Sequence, residues 1–410
     1  MKTIIVRRAG VAGRTMDFGT AELEAAATGD DLVPETSVSV EDVSAGDRAD
    51  LDASHEFLTA DPMPLELIEP VGGPPPPPPP ALDEARYAPF IEDDGQGGKA
   101  AWGIVATGAA ASSFTGAGVP VAVLDTGIDH EHPAFAGMNL VRRNFTAAPD
   151  GDLKGHGTHC AGTIFGRDVD GIRIGVARGV TQAFIAKVLP GDSGDLVDAL
   201  KWAFDSGARV ASMSLGFDFQ TVARRLRDER GLPEPAAINT ALTNFRANIA
   251  MFDALMDLFR AQALQQPGMV IVAATGNASD RTGAPPYTID IGSPAAAFGV
   301  VGIGALARAN GGLVVADFSN TTPRVSAPGV EVLSARAGAK DLVTMDGTSM
   351  ATPHVAGLAA LYWEQALQGG GPVKAESVAG RLAASAFANT AKLAAGAKAI
   401  DVGEGLPSAP

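Results

Sequence analysis

The sequence contains only one cysteine, Cys160, among its 410 residues, so no disulfide can form within the chain. Positive charge is also scarce, because 31 Lys and Arg residues stand against 47 Asp and Glu residues, which gives a net charge of −16. Binding to nucleic acid depends on Lys and Arg that neutralise phosphates. The composition therefore argues against a nucleic-acid partner.

Long apolar runs are absent as well. No stretch is long enough to span a membrane, and the N-terminal MKTIIVRRAGVAGRTMDF lacks the apolar core of a secretory signal. We therefore expect a cytoplasmic protein without a membrane partner. The remaining composition, 46% hydrophobic and 19% charged, is typical of a globular protein with a sizeable core.

Shifts in composition divide the chain into segments. Residues 1–71 are acidic and mixed, and residues 72–97 begin with GGPPPPPPP. Seven prolines favour a stiff polyproline II spacer, and the alternative is a docking site for an aromatic-lined domain. Residues 98–405 are the main domain, in which 217–235 is predicted to be an insertion, and residues 406–410 are a tail.

The main domain contains apolar runs without polar alternation, which is typical of strands that are buried on both faces of a parallel sheet. These runs are residues 119–125, 183–189, 209–215, 269–275 and 299–306. Apolar residues at helical spacing predict a helix over 194–207 and a long helix over 236–264 that packs one face on the sheet. The predicted fold class is α/β, with ligands expected at the carboxyl ends of the strands.

Four polar residues stand at the ends of apolar strands or at the starts of helices. They are Asp125 in VAVLDTGID, His156 in GHGTHCAG, Asn277 in VAATGN and Ser349 in GTSMATPHVAG. A serine becomes a nucleophile when a base lies within hydrogen-bond reach and a third group orients that base. Imidazole suits the base and carboxylate the orienting group, while a helix N-terminus and a side-chain amide suit an oxyanion. The alternative for Ser349 is a simple helix N-cap.

The order Asp125, His156, Asn277, Ser349, each within its motif, resembles that of the subtilisin-like serine proteases. The resemblance implies that Ser349 is the nucleophile, His156 the general base, Asp125 the residue that orients the base, and Asn277 the oxyanion donor. Cys160, next to the histidine motif, is similar to the cysteine of the proteinase K branch.

This resemblance covers roughly residues 98–405 and implies a subtilisin fold, with a mostly parallel, roughly seven-stranded sheet flanked by helices. It also implies a serine endopeptidase that cleaves peptide or protein substrates through an acyl-enzyme. The implied substrate-binding residues comprise two edge strands beside an extended peptide and the first specificity pocket: Ser214, Leu215 and Gly216 on one side, Ser193 and Gly194 on the other, and Ala273, Ala274, Thr275 and Gly276 in the pocket.

The segment LTADPMPLELIEP, residues 58–70, resembles the end of a subtilase prodomain. Residues 1–71 are therefore a candidate self-inhibitory prodomain, and an adaptor or a disordered tail is the alternative. The chemistry requires no cofactor. The family implies structural calcium, but Ala134 stands where a carboxylate ligand is expected, and Asp168 and Asp170 are the remaining candidate ligands.

Two other functions compete with proteolysis. One is a catalytically silent module of the same fold that binds peptides, and the other is a metal-dependent hydrolase that uses His130, His132 and Asp125. His159 and His354 are expected to be structural. Cys160 is expected to be a small buried residue whose place beside the base makes mercurial inhibition a secondary prediction.

Overall fold

The computed structural model describes residues 1–7, 36–54, 56–69, 71–72 and 86–410. The proline run, residues 74–80, lies outside the described residues. Within the described ranges, no helix is both long and apolar enough to cross a lipid bilayer.

The N-terminal region forms a small antiparallel sheet with one helix, and a further short strand follows. Its elements are β1 (Lys2–Arg7), β2 (Ser37–Asp42), α1 (Ala45–Ala53), β3 (Phe57–Ala60) and β4 (Leu65–Leu67), with sheet order β2-β1-β3. Ile4 and Val6 of β1 are fully buried and share a hydrophobic cluster with Leu196 and Phe252 of the main domain. Burial of apolar surface therefore holds this region on the main domain.

The strands of the main domain form a large central sheet and several small ones. In chain order they are β5 (Ile91–Asp93), β6 (Lys99–Ala101), β7 (Val121–Asp125), β8 (Asn139–Asn144), β9 (Ile172–Arg173), β10 (Gln182–Lys187), β11 (Val210–Met213), β12 (Leu215–Phe217), β13 (Val270–Ala274), β14 (Val300–Ala309), β15 (Gly312–Val315), β16 (Val325–Pro328), β17 (Val332–Ala335) and β18 (Leu342–Met345). The central sheet has the order β15-β14-β13-β11-β7-β10-β8, and β16 also pairs with β14. All pairings are parallel except that of β15. The predicted α/β fold with a mostly parallel, roughly seven-stranded sheet is confirmed, since seven of the eight strands of this sheet run parallel.

Helices cover both faces of this sheet. They are α2 (Trp102–Ala106), α3 (His156–Phe165), α4 (Ser193–Asp205), α5 (Phe219–Asp228), α6 (Glu234–Gln262), α7 (Thr348–Gln368), α8 (Ala375–Ala388) and α9 (Ala399–Val402). Val121 and Val123 of β7 belong to the core that contains α3 and α7, whereas Ala122 and Leu124 belong to the core that contains α4 and α6. Both faces of β7 are thus buried, which explains why its sequence does not alternate.

The residues that the long helix α6 buries differ in part from those predicted. Phe252 and Met256 are buried as expected, but Ile238 and Leu242 in the N-terminal half are 45% and 47% exposed. The expected single packing face over 236–264 is therefore wrong for this half. There the neighbour is α5, from within the predicted insertion 217–235, which packs against α6 through Phe219 and Phe245 at a ring distance of 5.9 Å.

The main domain extends beyond its predicted bounds at both ends. Tyr87, from the predicted linker 72–97, is buried, and its hydroxyl donates to Leu342 O over 3.1 Å. Leu406, from the predicted tail 406–410, is also fully buried. Both segments therefore pack into the main domain, although composition alone assigned them to a linker and a tail.

Candidate active site

Asp125 and His156 meet at the carboxyl end of the central sheet. Asp125 is the last residue of β7 and His156 the first of α3, and His156 Nδ1 lies 2.8 Å from Asp125 Oδ1. Both side chains are 2% exposed. Because an ionised carboxylate can only accept, the proton of this bond resides on Nδ1, which leaves Nε2 able to accept a proton.

The pKa of His156 is set by two opposing effects. Burial alone lowers it, because the imidazolium loses solvation, but the Asp125 carboxylate outweighs burial and the pKa is raised well above its usual value. Cys160 Sγ is 3.9 Å from His156 Nδ1. Burial raises the pKa of the Cys160 thiol, so this group is uncharged at neutral pH and Asp125 is the main cause of the shift.

Ser349 and Asn277 lie beside this pair. Ser349 is the second residue of α7, at a helix N-terminus, where the partial positive charge of the helix dipole favours an anion. Asn277 Oδ1 accepts hydrogen bonds from Thr348 N and Thr348 Oγ1, at 2.9 and 2.8 Å. These bonds fix the amide orientation, so Asn277 Nδ2 is the atom that can donate to an oxyanion.

A segment of the N-terminal region crosses this group of residues. Strand β4 pairs antiparallel with β12, with Leu67 opposite Leu215. Beyond β4, the Ser349 hydroxyl donates to Ile68 O over 2.9 Å, and Asn277 Nδ2 donates to Glu69 O over 3.0 Å. Among the described residues, His156 Nε2 is buried and has no hydrogen-bond partner.

The other edge of the cleft is a loop rather than a strand. Leu65 N donates to Gly191 O over 3.0 Å, and Ser193 N donates to Met63 O over 2.8 Å. The bound segment therefore makes main-chain hydrogen bonds on both sides, as an extended peptide does when it lies between two edges.

The prediction that Ser193 and Gly194 form an edge strand is wrong. They are the first two residues of α4, and Asp192 and Asp195 close a capping box around that helix start. These carboxylates satisfy the free N–H groups of the first turn, which favours a helix over a strand. Ser193 still contacts the segment, since its hydroxyl accepts from Met63 N over 2.9 Å.

The other predicted substrate-binding residues lie near Ser349. Leu215 and Gly216 belong to β12, and the Ser214 hydroxyl donates to Ser349 O over 3.1 Å. Ala273 and Ala274 are buried in β13, the Thr275 hydroxyl donates to Ile303 O over 3.1 Å, and Gly276 N donates to Thr348 Oγ1 over 3.2 Å. These contacts are internal to the protein, so the specificity pocket stays a prediction.

The remaining histidines are engaged by the protein. His132 Nδ1 accepts from Ala134 N and its Nε2 lies 2.9 Å from Asp341 O, while His130 is bonded to Arg142. His132 thus has no free nitrogen for the metal-dependent hydrolase considered above.

His159 and His354 are buried in helices α3 and α7, where each bonds to main-chain carbonyl oxygens. Burial lowers the pKa of His159 to about 3, aided by the charge of His156, and that of His354 to about 4. Both are therefore neutral structural residues, as expected from the sequence.

Metal-ligating side chains come together at one place among the described residues. The group consists of Asp125, His156 and Cys160, in which the carboxylate and imidazole already bond to each other. Asp168, a candidate calcium ligand, instead lies 3.5 Å from Arg178, whose guanidinium competes with a cation for the carboxylate. The candidate cation site at Asp168 and Asp170 stays a prediction.

Sequence analysis missed two buried or partly buried charged groups behind the site, Asp152 and Lys187. Asp152 accepts hydrogen bonds from the start of α3, and Lys187 donates to main-chain oxygens of Thr126 and Gly151. The signal for Asp152 was present, because a carboxylate just before a predicted helix is a usual N-terminal partner. The signal for Lys187 was its place within residues 183–189, a run that the sequence predicts to be a strand buried on both faces.

Comparisons with known proteins agree with this geometry. A sequence model of the subtilase family matches residues 116–402. Among relatives, the chain is 35% identical to a "Cuticle-degrading serine protease" of Arthrobotrys oligospora over 62% of this chain and 54% of the relative. It is 30% identical to the "Major intracellular serine protease" of Bacillus subtilis over 63% of this chain and 73% of that protein.

Among solved structures, the "S41 Psychrophilic Protease" is similar, with a TM-score of 0.55 and 27% sequence identity over 75% of this chain and 97% of that structure. The present chain spans about half the length of the fungal relative, since the matched region covers 54% of it.

Proposed function

The chain belongs to the subtilase family, and we propose that it is a serine endopeptidase that hydrolyses peptide bonds through an acyl-enzyme on Ser349. One observation supports this most strongly: an extended segment lies in the cleft, with consecutive carbonyl oxygens bonded to Ser349 Oγ and Asn277 Nδ2. A cleft that binds main-chain groups in this way suits peptide substrates of varied sequence.

The proposed reaction follows from the same atoms. His156 Nε2 takes the proton of the Ser349 hydroxyl while Oγ attacks the substrate carbonyl carbon, and Asp125 holds the imidazole and stabilises the imidazolium. The oxyanion accepts hydrogen bonds from Asn277 Nδ2 and Ser349 N–H. The imidazolium then protonates the leaving amine, and a water molecule, deprotonated by His156, hydrolyses the acyl-enzyme.

No cofactor enters this reaction, because the nucleophile, the base and the oxyanion donors all belong to the chain. We expect a chelator to leave the rate of acylation of Ser349 unchanged. Structural calcium elsewhere in the protein stays a prediction, and a lower melting temperature after chelation would support it.

A fluorophosphonate probe tests the function directly. We expect covalent labelling of the wild type and of Ser377→Ala, an exposed serine of α8, but no labelling of Ser349→Ala. Cleavage of a peptide mixture should follow the same pattern. If the protein binds peptides but is never labelled, even after removal of residues 1–71, the silent binding module is the correct function.

Residues 1–71 are proposed to inhibit the enzyme in the full chain. The segment around Ile68 engages the hydroxyl of the nucleophile, and Lys2 Nζ forms ion pairs with Asp192 and Asp195 at 2.7 and 2.6 Å. These ion pairs join β1 to the helix start beside the cleft. The combination of apolar burial, ion pairs and main-chain bonds supports a segment that competes with substrates.

The proposed location is inside the cell. The Bacillus subtilis relative, of which the matched region covers 73%, is named as an intracellular protease and supports this, whereas the fungal relative is named for degrading cuticle. Fractionation of cells that produce the protein, with a secreted and a cytoplasmic marker, tests the location.

A further inference from the structure

The loop after Asp125 and the loop before His156 lie directly against each other. Gly127 has φ 111° and, if it carried a Cβ, that atom would lie 2.6 Å from Gly151 O. A Cβ at Gly157, in the first turn of α3, would lie 2.2 Å from Gly127 O. Main chain therefore meets main chain here, and a small shift of either loop would move Asp125 relative to His156.

The carboxylate of Asp152 collects five hydrogen bonds at this contact. Oδ1 accepts from Thr126 Oγ1, Gly155 N and Lys154 N, at 2.8, 2.8 and 3.1 Å. Oδ2 accepts from Thr158 N and Thr158 Oγ1, at 2.8 and 2.6 Å. All five partners are donors, so the two oxygens of an ionised carboxylate can accept all five bonds. An amide would replace one oxygen with an NH₂ group, which would face the donors that bond to Oδ1 or those that bond to Oδ2.

Thr126 connects Asp152 to the predicted triad. Its hydroxyl accepts from Gly157 N over 2.9 Å, and its single proton goes to Asp152 at 2.8 Å rather than to Asp125 at 3.2 Å. Its main-chain N–H donates to Asp125 Oδ1 over 2.7 Å, the same oxygen that accepts from His156 Nδ1. The position of Thr126 therefore determines where this oxygen lies.

Lys187 joins the same two loops from the sheet side. It is the last residue of β10, only 5% exposed, and its register partner in β7 is Asp125. Its ammonium donates to Thr126 O over 2.7 Å and to Gly151 O over 2.8 Å, one oxygen from each loop. The ammonium thus bridges the two main chains as a small bound cation would.

We propose that Asp152 and Lys187 are positioning residues for the triad, which fix the loop that carries Asp125 against the loop that carries His156. The inference rests on the proposed function for its kinetic consequence, but its geometric part stands without it. Within the described part of the chain, neither residue forms a hydrogen bond with the segment in the cleft, so both would act through Asp125 and His156. Misplacement of a catalytic group by about 1 Å can lower a rate by about 10²-fold.

The first experiment observes the Asp125–His156 bond itself. In the full-length Ser349→Ala protein, proton NMR is expected to show a strongly downfield resonance from the His156 Nδ1 proton. We expect Asp152→Asn and Lys187→Met to shift or broaden this resonance. Because no turnover is needed, the result is independent of whether the protein is a protease.

Two remote residues provide matched controls. Asp94 accepts main-chain N–H bonds from Gln96 and Gly98, and Lys374 donates to the main-chain oxygens of Leu264 and Gln266. Asp94→Asn and Lys374→Met make the same chemical changes away from the triad and should leave the resonance unchanged. An equal change in these controls would show a general effect on the fold and would overturn the proposal.

The second experiment measures kinetics with Ser349 intact. We expect Asp152→Asn and Lys187→Met to lower kcat by about tenfold or more while KM changes little, because the substrate edges are untouched. Thr126→Val removes the hydroxyl that links Asp152 to the loop and should lower kcat as Asp152→Asn does. Thr126→Ser keeps this hydroxyl, so its kcat should be close to that of the wild type. These two variants test the proposal if Asp152→Asn does not fold. An unchanged resonance together with unchanged kcat in the folded variants would overturn the proposal.

Discussion

The Ser349 hydroxyl and the carbonyl oxygen of Ile68 are joined by a hydrogen bond of 2.9 Å. The proton that a serine nucleophile would give to its base is therefore directed at the N-terminal segment. Among the described residues, the corresponding nitrogen of the base, His156 Nε2, has no partner. While the N-terminal region is bound, the hydroxyl of Ser349 therefore bonds to this region and not to His156.

Weakening the docking of that region should open the site. Met63 is fully buried beside Ser193, and Met63→Ala removes buried apolar volume worth about 2–5 kcal/mol in typical cores. We expect faster fluorophosphonate labelling of Ser349 in the full-length variant than in the wild type. Glu56→Ala, an exposed change in the same region, should label at the wild-type rate. Equal rates for all three proteins would contradict inhibition by this region.

The pH dependence of acylation should report the environment of His156. Burial lowers the pKa of His156, but Asp125 raises it by more, so the pKa lies well above the usual value of about 6.5. Only the neutral imidazole can accept the serine proton. The acylation rate should therefore rise with pH, with a midpoint above about pH 6.5.

Asp125→Asn tests whether Asp125 is the cause of this pH dependence. Without the carboxylate, burial still lowers the pKa of His156 and the main effect that raises it is gone, so the midpoint should move to lower pH while the maximal rate falls. The measurement is the rate of fluorophosphonate labelling against pH in the Met63→Ala background. Asp94→Asn should leave the midpoint in place, and a midpoint that does not move in Asp125→Asn would show that Asp125 does not control His156.

Modification of Cys160 should inactivate the enzyme although the thiol takes no part in the proposed reaction. Cys160 is 1% exposed, and its Sγ lies 3.9 Å from His156 Nδ1 and 3.4 Å from Ser349 O, so a bound mercury atom would displace both residues. We expect slow, time-dependent loss of activity with an organomercurial, limited by access to the buried thiol. Cys160→Ala should be active and resistant, and a sensitive Cys160→Ala variant would place the reactive group elsewhere.

Close packing of α7 should make one of its glycines intolerant of a methyl group. At Gly357, a new Cβ would lie 2.5 Å from Val176 Cβ, an overlap that typically costs about 1–3 kcal/mol. At Gly380 in α8, a new Cβ meets nothing within 4 Å, so Gly380→Ala should be neutral or stabilising by about 0.5–1 kcal/mol. Urea unfolding of both variants in the Ser349→Ala background measures the difference. Similar free energies of unfolding would contradict the close approach of α7.

Much of the architecture was predictable from local pattern. Apolar runs without alternation located β7, β10, β11, β13 and β14 to within a few residues, because a strand that is buried on both faces has no polar side to interrupt the run. The same rule could not locate β8, whose residues are mostly exposed or half-buried. The register of a half-exposed strand depends on the neighbour to which it bonds.

The sequence by itself determined which chemical groups are present and in what order: a carboxylate at a strand end, an imidazole and a serine at helix starts, and an amide after a strand. Only the tertiary structure decided that Ser349 faces Ile68 and that Asp152 and Lys187 join the two loops. Strand and helix patterns arise from neighbours within a few residues. Hydrogen bonds between residues far apart in the chain, such as Ser349 to Ile68, depend on how whole elements pack, which no local pattern records.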